Sequence, residues 1–316
     1  MRILIMGAGS LGSVVGGLMA NTGHSVTLVG RRAHMDAIAR DGLRITGIWG
    51  KHLAESLVTR TDVNELSAGA FDLILVTVKS YDTADAAKAI QPLVDANTLV
   101  CSYQNGLGNV ELLAETVGWE RCFGARAIYG AWLPEDGQVD VTVIANPTAL
   151  GTYRPETPAE RVREIATAMD ESGMPTVYTD SIATVLWSKV AYNCAMNALS
   201  AMLDVPYGKL LNSEETRTTM RDVTHELYLV GHALGVHLEP STPEAYIDLL
   251  FNELIPPTAL HYASMREDFR RRRRTEIDAL NGAICRYGDE HGIPCPVNER
   301  LTREVRAREE SYLAAK

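Results

Sequence analysis

Three polar side chains recur at four-residue intervals in the otherwise apolar stretch 186–197: Lys189, Asn193 and Asn197. On a helix that spacing puts them on one face, about 6 Å apart per step. An ammonium beside two amides can hold a polar ligand, stabilise an oxyanion and donate a proton. Buried amides need partners, so the stripe implies either an internal network or a polar ligand. By spacing alone, a lysine reaching solvent beside capping amides fits equally well.

A second constellation opens the chain. Gly7-Ala8-Gly9-Ser10-Leu11-Gly12 is G-x-G-x-x-G, directly after the β-rich run Arg2–Met6 and leading into a helical pattern. In that context Gly7 makes the tight turn, Gly9 lets backbone approach a pyrophosphate at the helix N-terminus, and Gly12 permits close helix–strand packing. A dinucleotide cofactor is therefore expected. The next strand ends Val29-Gly30-Arg31-Arg32, without the carboxylate that would accept ribose hydroxyls. The Arg31 guanidinium suits a 2′-phosphate, so NADPH/NADP+ is predicted over NADH. Lys79 and Asn105 follow further strands, Lys79 placed for adenosine or phosphate and Asn105 for the nicotinamide end. Gly106 and Gly108 are expected to keep backbone close to ligand.

The elements that must position these residues alternate in the first half. Arg2–Met6, Ser25–Val29, 73–78 and 98–102 read as strands, the last two apolar on both faces as covered parallel strands must be. Helical patterns separate them, one at 83–93. Residues 124–153 read as an antiparallel extension with turns at Asp136-Gly137 and Asn146-Pro147, and 157–171 as helix. After Val177-Tyr178 the pattern is helical to the end. The fold class expected is α/β: a Rossmann-type doubly wound sheet with an antiparallel extension (residues 1–180, cofactor-binding), followed by an all-α domain (181–316, substrate-binding).

Composition narrows the function. The 316 residues are 46% apolar and 22% charged, an ordinary globular mix, and the formal charge of -10 disfavours nucleic acid. Five widely spaced cysteines, with no C-x-x-C, suggest neither a disulfide framework nor zinc. No signal-peptide core and no spanning apolar stretch is present, so a cytoplasmic protein without membrane contact is expected. His225, His232 and His261 show no metal-ligand spacing, and no metal is predicted. The run Arg270 to Arg274 reads as helical, pointing all round its axis and pairing mostly with acidic neighbours.

Taken in order, G-A-G-S-L-G, V-K-S, Q-N-G-L-G-N, L-W-S-K-V-x-x-N-x-x-x-N and S-M-x-x-D-x-x-x-x-x-x-T-E-I-D-x-x-N-G resemble the ketopantoate reductase (2-dehydropantoate 2-reductase) family over almost the whole chain. The resemblance implies a helical domain of the 6-phosphogluconate-dehydrogenase-like kind and an NADPH-dependent reduction of ketopantoate to pantoate, on the route to pantothenate and coenzyme A. It implies Lys189 as catalytic proton donor and Glu276 as the glutamate that binds a substrate hydroxyl near that lysine. Ser264 would reach the substrate carboxylate, and Asn105, Asn193 and Asn197 would supply amide hydrogen bonds. Tyr207 stands where the family pattern leads one to expect an asparagine. Either its hydroxyl serves, or the pocket takes a different short 2-keto or 3-hydroxy acid. A non-catalytic NADP(H)-sensing protein is the alternative of another class, and a homodimer is one option for assembly.

Overall fold

The structure is a computed structural model of the chain, and it describes residues 1–314. It divides into two units: Met1–Gln104 with Asn109–Ile182, and Asn105–Gly108 with the chain from Ala183 onward.

The first unit is a ten-stranded mixed sheet with helices. Its strands are β1 (Arg2–Met6), β2 (Ser25–Val29), β3 (Leu43–Gly47), β4 (His52–Ala54), β5 (Leu57–Arg60), β6 (Leu73–Val76), β7 (Leu99–Ser102), β8 (Cys122–Trp132), β9 (Gln138–Thr152) and β10 (Thr176–Tyr178). Their order is β4-β3-β9-β8-β7-β6-β1-β2-β5, with β10 paired to β9. From β5 across to β8 every neighbour is parallel, in registers such as Arg2↔Ser25, Ile3↔Leu73 and Leu73↔Leu99. Pairing turns antiparallel at β8–β9, the expected extension. The helices are α1 (Ser10–Asn21), α2 (Arg32–Asp41), α3 (Thr83–Ile90), α4 (Asn109–Val117) and α5 (Ala159–Glu171).

Period-two alternation explains why the central strands are apolar throughout. In β1, Ile3 and Ile5 enter the core shared with Val14, Val15 and Leu18 of α1, while Leu4 enters the opposite core with Ile74, Val76 and Val100. Both faces of the sheet are thus covered, as a doubly wound arrangement requires.

Two sequence expectations are corrected here. Asn146-Pro147 is not a turn but part of β9, where the pairs Arg126↔Ala149 and Ile128↔Asn146 leave two residues of β9 opposite one of β8. A proline, lacking an N–H, is accommodated in a strand at such a bulge. The arginine run is not one helix either. Only Arg270 is helical, and Arg272 has φ 50, a left-handed conformation that ends the turn. The pairing with acids does occur, in Arg271–Glu267, Arg273–Asp268 and Arg274–Asp278.

The second unit is helical: α6 (Ile182–Leu203), α7 (Tyr207–Leu210), α8 (Glu214–Ala233), α9 (Pro243–Leu249), α10 (Ser264–Arg270), α11 (Asn281–His291) and α12 (Pro296–Leu313). Val190, Ala191, Cys194, Ala195, Met196 and Ala198 of α6 are all almost inaccessible to solvent, so the helix is packed on most of its circumference. A polar network ties it to its neighbours. Asn281 Nδ2 donates to the Cys194 carbonyl at 3.1 Å and to Asn298 Oδ1 at 2.9 Å. Asn298 Nδ2 donates to Glu226 Oε2 at 2.7 Å. The Glu226 carboxylate also accepts the backbone N–H groups of Val297 and Asn298, capping α12, which favours a negative charge at that helix end. No helix among the described residues is long and apolar enough to cross a membrane.

Candidate active site

The glycine-rich loop has the geometry its sequence implies. Gly7 and Ala8 donate their N–H groups to the Val29 carbonyl, anchoring the turn between β1 and α1 to the end of β2. Gly7 has φ +103, and a Cβ there would lie 2.6 Å from Val78 Cγ1. A Cβ on Gly12 would lie 2.6 Å from Thr77 Oγ1 and 2.8 Å from Ile5 Cγ2, so α1 can approach β1 and the β6 end only without it. Gly9 is different. Its nearest protein atom would be Gly7 O at 3.9 Å, so nothing in the protein demands a glycine there.

That open space lies at the N-cap of α1, where backbone N–H groups lack intrahelical partners and where the first turn carries no acidic residue. A phosphate group fits it. Arg31 is the N-cap of α2, exposed beyond the end of β2, and no carboxylate stands beside it in residues 29–33. Lys79 follows β6 and precedes a short 3-10 turn, Ser80–Asp82. The residues present therefore suit a dinucleotide.

Asn105 follows strand β7 in the chain. With Gly106 to Gly108 it packs in the helical unit, where Leu107 N donates to the Ala279 carbonyl at 2.8 Å. Gly106 has φ +88, and a Cβ on it would collide with the carbonyl and Cβ of Ala279. A Cβ on Gly108 would lie 2.8 Å from Arg286 Nη2. These two glycines thus allow close approach to protein.

This docking carries Asn105 into the side-chain constellation of α6. Lys189 Nζ donates to Asn105 Oδ1 at 2.7 Å, and Asn105 Nδ2 donates to Glu276 Oε2 at 3.4 Å. One amide thus bridges an ammonium and a carboxylate. Asn105, Asn193, Asn197, Ser264 and Glu276 line a single pocket, together with Met265, Asp268 and Leu280. Every substrate-binding residue expected from the sequence is therefore in one place.

Local folding explains the arrangement. Asn193 and Asn197 lie one and two turns beyond Lys189 on α6. Ser264 is the first residue of α10. Glu276 sits just before the 3-10 turn Ile277–Ala279, and its neighbour Thr275 is fixed by a hydrogen bond from its N–H to the buried Glu309 carboxylate at 2.6 Å.

One pocket residue carried no assigned role in the sequence motif. Asp268 is buried, lines the pocket and pairs with Arg273 at 2.8 Å. α10 ends at Arg270, between Asp268 and Glu276, so no helical periodicity links the two. Tyr207, the departure from the family pattern, donates its hydroxyl hydrogen to Asn197 Oδ1 at 2.7 Å. Burial pushes the Tyr207 phenol up from its ordinary pKa, which keeps it a donor. Asn197 Oδ1 is thereby occupied, and its Nδ2 has no protein partner among the described residues. Asn193 makes no side-chain hydrogen bond among them at all. Two amides in a partly desolvated pocket with unused donors call for a polar ligand. Among the described residues no group of three or more His, Cys, Asp or Glu is placed to hold a metal ion.

A sheet unit with a phosphate-ready glycine loop and a helical unit with a Lys–Asn–Glu pocket together define a Rossmann-type oxidoreductase. Comparison with known proteins makes this specific. Residues 3–155 match the family described as ketopantoate reductase PanE/ApbA, and residues 181–309 match its C-terminal domain. The chain belongs to the ketopantoate reductase PanE/ApbA family. It is 34% identical over 309 residues to the 2-dehydropantoate 2-reductase of Aquifex aeolicus (strain VF5), covering 98% of this chain and 97% of that one. Among solved structures it resembles the PanE/ApbA family ketopantoate reductase from Ralstonia eutropha JMP134 (TM-score 0.88, 33% identity, 99% and 100% of the two chains). It also resembles D-mandelate dehydrogenase with NADH and anilino(oxo)acetate (TM-score 0.88, 27% identity, 99% of each chain).

Proposed function

We propose that this chain is an NADPH-dependent 2-dehydropantoate 2-reductase, reducing ketopantoate to pantoate in the biosynthesis of pantothenate and coenzyme A. The observation that carries the reading is the Lys189–Asn105–Glu276 chain at a pocket lined by underused amides. It supports a site for a small molecule bearing a ketone, a hydroxyl and a carboxylate.

NADPH, when bound, supplies the hydride that reduces the carbonyl carbon. Gly7 to Gly12 would hold its pyrophosphate, Arg31 its 2′-phosphate, with Lys79 as a further phosphate or adenosine contact. Lys189 stabilises the negative charge that develops on the keto oxygen and donates the proton that completes the alcohol. Asn105 fixes the ammonium through its Oδ1 and links it to Glu276. Glu276 accepts a hydrogen bond from the substrate hydroxyl, a role available to an acceptor and closed to a cation. Asn193 and Asn197 donate to the ligand's oxygens, and Ser264 to its carboxylate.

A second reading, a reductase of another 2-keto acid, is favoured by Tyr207. This phenol occupies buried volume beside Asn197 where the family pattern leads one to expect an amide. The likeness to D-mandelate dehydrogenase supports the same fold serving another 2-hydroxy acid. Incubation with ketopantoate and NADPH deuterated on the transferable C4 position tests the reaction directly. Pantoate carrying deuterium at C2 is expected; unlabelled or absent pantoate overturns the reading.

A further inference from the structure

Arg306, Glu309 and Tyr312 recur at three-residue intervals on α12, a spacing that places neighbours along one side of a helix. All three meet the segment that carries Glu276. Arg306 Nε donates to Asp278 Oδ1 at 2.8 Å, Thr275 N donates to Glu309 Oε1 at 2.6 Å, and the Tyr312 hydroxyl donates to the Arg273 carbonyl at 2.6 Å. Segment 273–278 therefore runs antiparallel along α12, with Glu276 inside the span of the three contacts. All of these residues belong to the helical unit.

The segment needs anchors of this kind. Between the end of α10 at Arg270 and the 3-10 turn Ile277–Ala279 there is no helix or strand to take up its backbone groups. Glu309 is buried, and a carboxylate holds an N–H more tightly than a neutral acceptor does. Thr275 passes the anchor on, because its hydroxyl accepts the Ile277 N–H at 3.2 Å. The backbone is thus tied on both sides of Glu276. The Glu276 carboxylate lines the pocket and accepts from Asn105 at 3.4 Å, the long end of the hydrogen-bonding range. A long bond directs weakly, so where this carboxylate points depends also on the backbone beneath it.

We infer that Glu309 and Tyr312 are positioning residues for Glu276, and that through them α12 sets the preference for keto acids that carry a hydroxyl. Neither residue is among those lining the pocket, so each acts through segment 273–276. This rests on the reading of Glu276 as the acceptor of the substrate hydroxyl.

The test compares Glu309→Ala, Glu309→Gln and Tyr312→Phe with the unaltered protein on two substrates, ketopantoate and trimethylpyruvate, which is ketopantoate without its hydroxyl. In Glu309→Ala, kcat/KM for ketopantoate is expected to fall about tenfold, the worth of one hydrogen bond, while that for trimethylpyruvate stays unchanged. Glu309→Gln keeps an acceptor oxygen and should recover most of the loss. Tyr312→Phe should shift the ratio in the same direction by less, and NADPH affinity, read by fluorescence titration, should be the same in all four proteins. Equal losses on the two keto acids would mark a purely structural role and overturn the inference. Should Glu309→Ala fail to fold, Tyr312→Phe decides, an unchanged ratio overturning the inference. Hydrogen exchange of peptide 271–279, followed by mass spectrometry without substrate, separates this inference from the functional reading. Faster exchange in Glu309→Ala or Tyr312→Phe supports the anchoring even where ketopantoate is not turned over; exchange as slow as in the unaltered protein contradicts it.

Discussion

Asn105 Oδ1 accepts a hydrogen bond from Lys189 Nζ at 2.7 Å, across 84 residues of sequence. The same amide reaches Glu276, so the position of the ammonium depends on a loop docked through Gly106 and Ala279. Lys189→Ala is expected to lower kcat by about 10²- to 10⁴-fold, the range for loss of a general acid, with NADPH affinity unchanged. Asn105→Ala should lower kcat less, because the ammonium remains but is no longer held. Stopped-flow turnover beside fluorescence titration of NADPH checks both. Equal turnover in Lys189→Ala would remove the lysine from the mechanism.

The three glycines of the loop separate folding from binding. Gly12→Ala forces a Cβ against Thr77 and Ile5, so an overpacking cost of about 1–3 kcal/mol is expected in thermal or urea unfolding. Gly9→Ala brings its Cβ no nearer than the 3.9 Å contact with Gly7 O, and its stability should fall by at most about 1 kcal/mol, the usual cost of alanine at a helix N-cap. Its NADPH affinity should nevertheless drop about tenfold or more, equivalent to about 1.4 kcal/mol. A Gly9→Ala protein that binds NADPH normally would show that the open space at α1 is not the pyrophosphate site.

Much of this was legible in the sequence, and the exceptions have physical causes. Strands β1 and β2 are buried on both faces, and their apolar runs carry an unambiguous signal. β3, β4 and β5 went unread because they are short, lie toward the ends of the sheet and mix exposed with buried residues, as in Arg44 beside Leu43. Lys189, Asn193 and Asn197 were visible because one helix presents all three. Glu276 and Ser264 lie on other elements, so no spacing rule connects them to the lysine, and only the family resemblance brought them in. Tyr207 was visible as a departure, but its bond to Asn197 is a tertiary contact that no local pattern encodes.

Tyr207 sets what Asn197 can offer. In Tyr207→Phe the Asn197 Oδ1 loses its donor inside the protein, leaving an acceptor whose desolvation costs about 1–3 kcal/mol if nothing replaces the bond. The amide is then free to turn. The expected result is a keto-acid KM raised about tenfold with a smaller change in kcat, the pattern of lost ground-state binding. Steady-state kinetics at saturating NADPH reads the split, and an unchanged KM would make the Tyr207–Asn197 bond irrelevant to substrate binding.

His34 predicts a pH dependence of stability. It is buried on α2, with Gly137 N donating to its Nδ1 at 3.0 Å and its Nε2 3.0 Å from Ser13 Oγ. Burial lowers its pKa below the ordinary 6.5, with Asp136 opposing and Arg31 adding to the shift. A histidine that folds neutral leaves the unfolded chain binding more protons. Its contribution is therefore complete above pH 6.5 and is lost as pH falls from there through the lower, folded-state value. His34→Gln should flatten this part of the stability profile measured by urea unfolding across that range. A wild-type profile that His34→Gln leaves unchanged would exclude the histidine as its source.

The most direct measurement is the decay of NADPH absorbance when the purified protein meets ketopantoate, with NADH and a panel of other 2-keto acids run in parallel. The account predicts turnover with kcat/KM of about 10⁴ M⁻¹s⁻¹ or higher, the lower end of ordinary enzyme efficiency, and a preference for NADPH that Arg31→Ala erodes. Tight NADPH binding with no consumption of ketopantoate would contradict it.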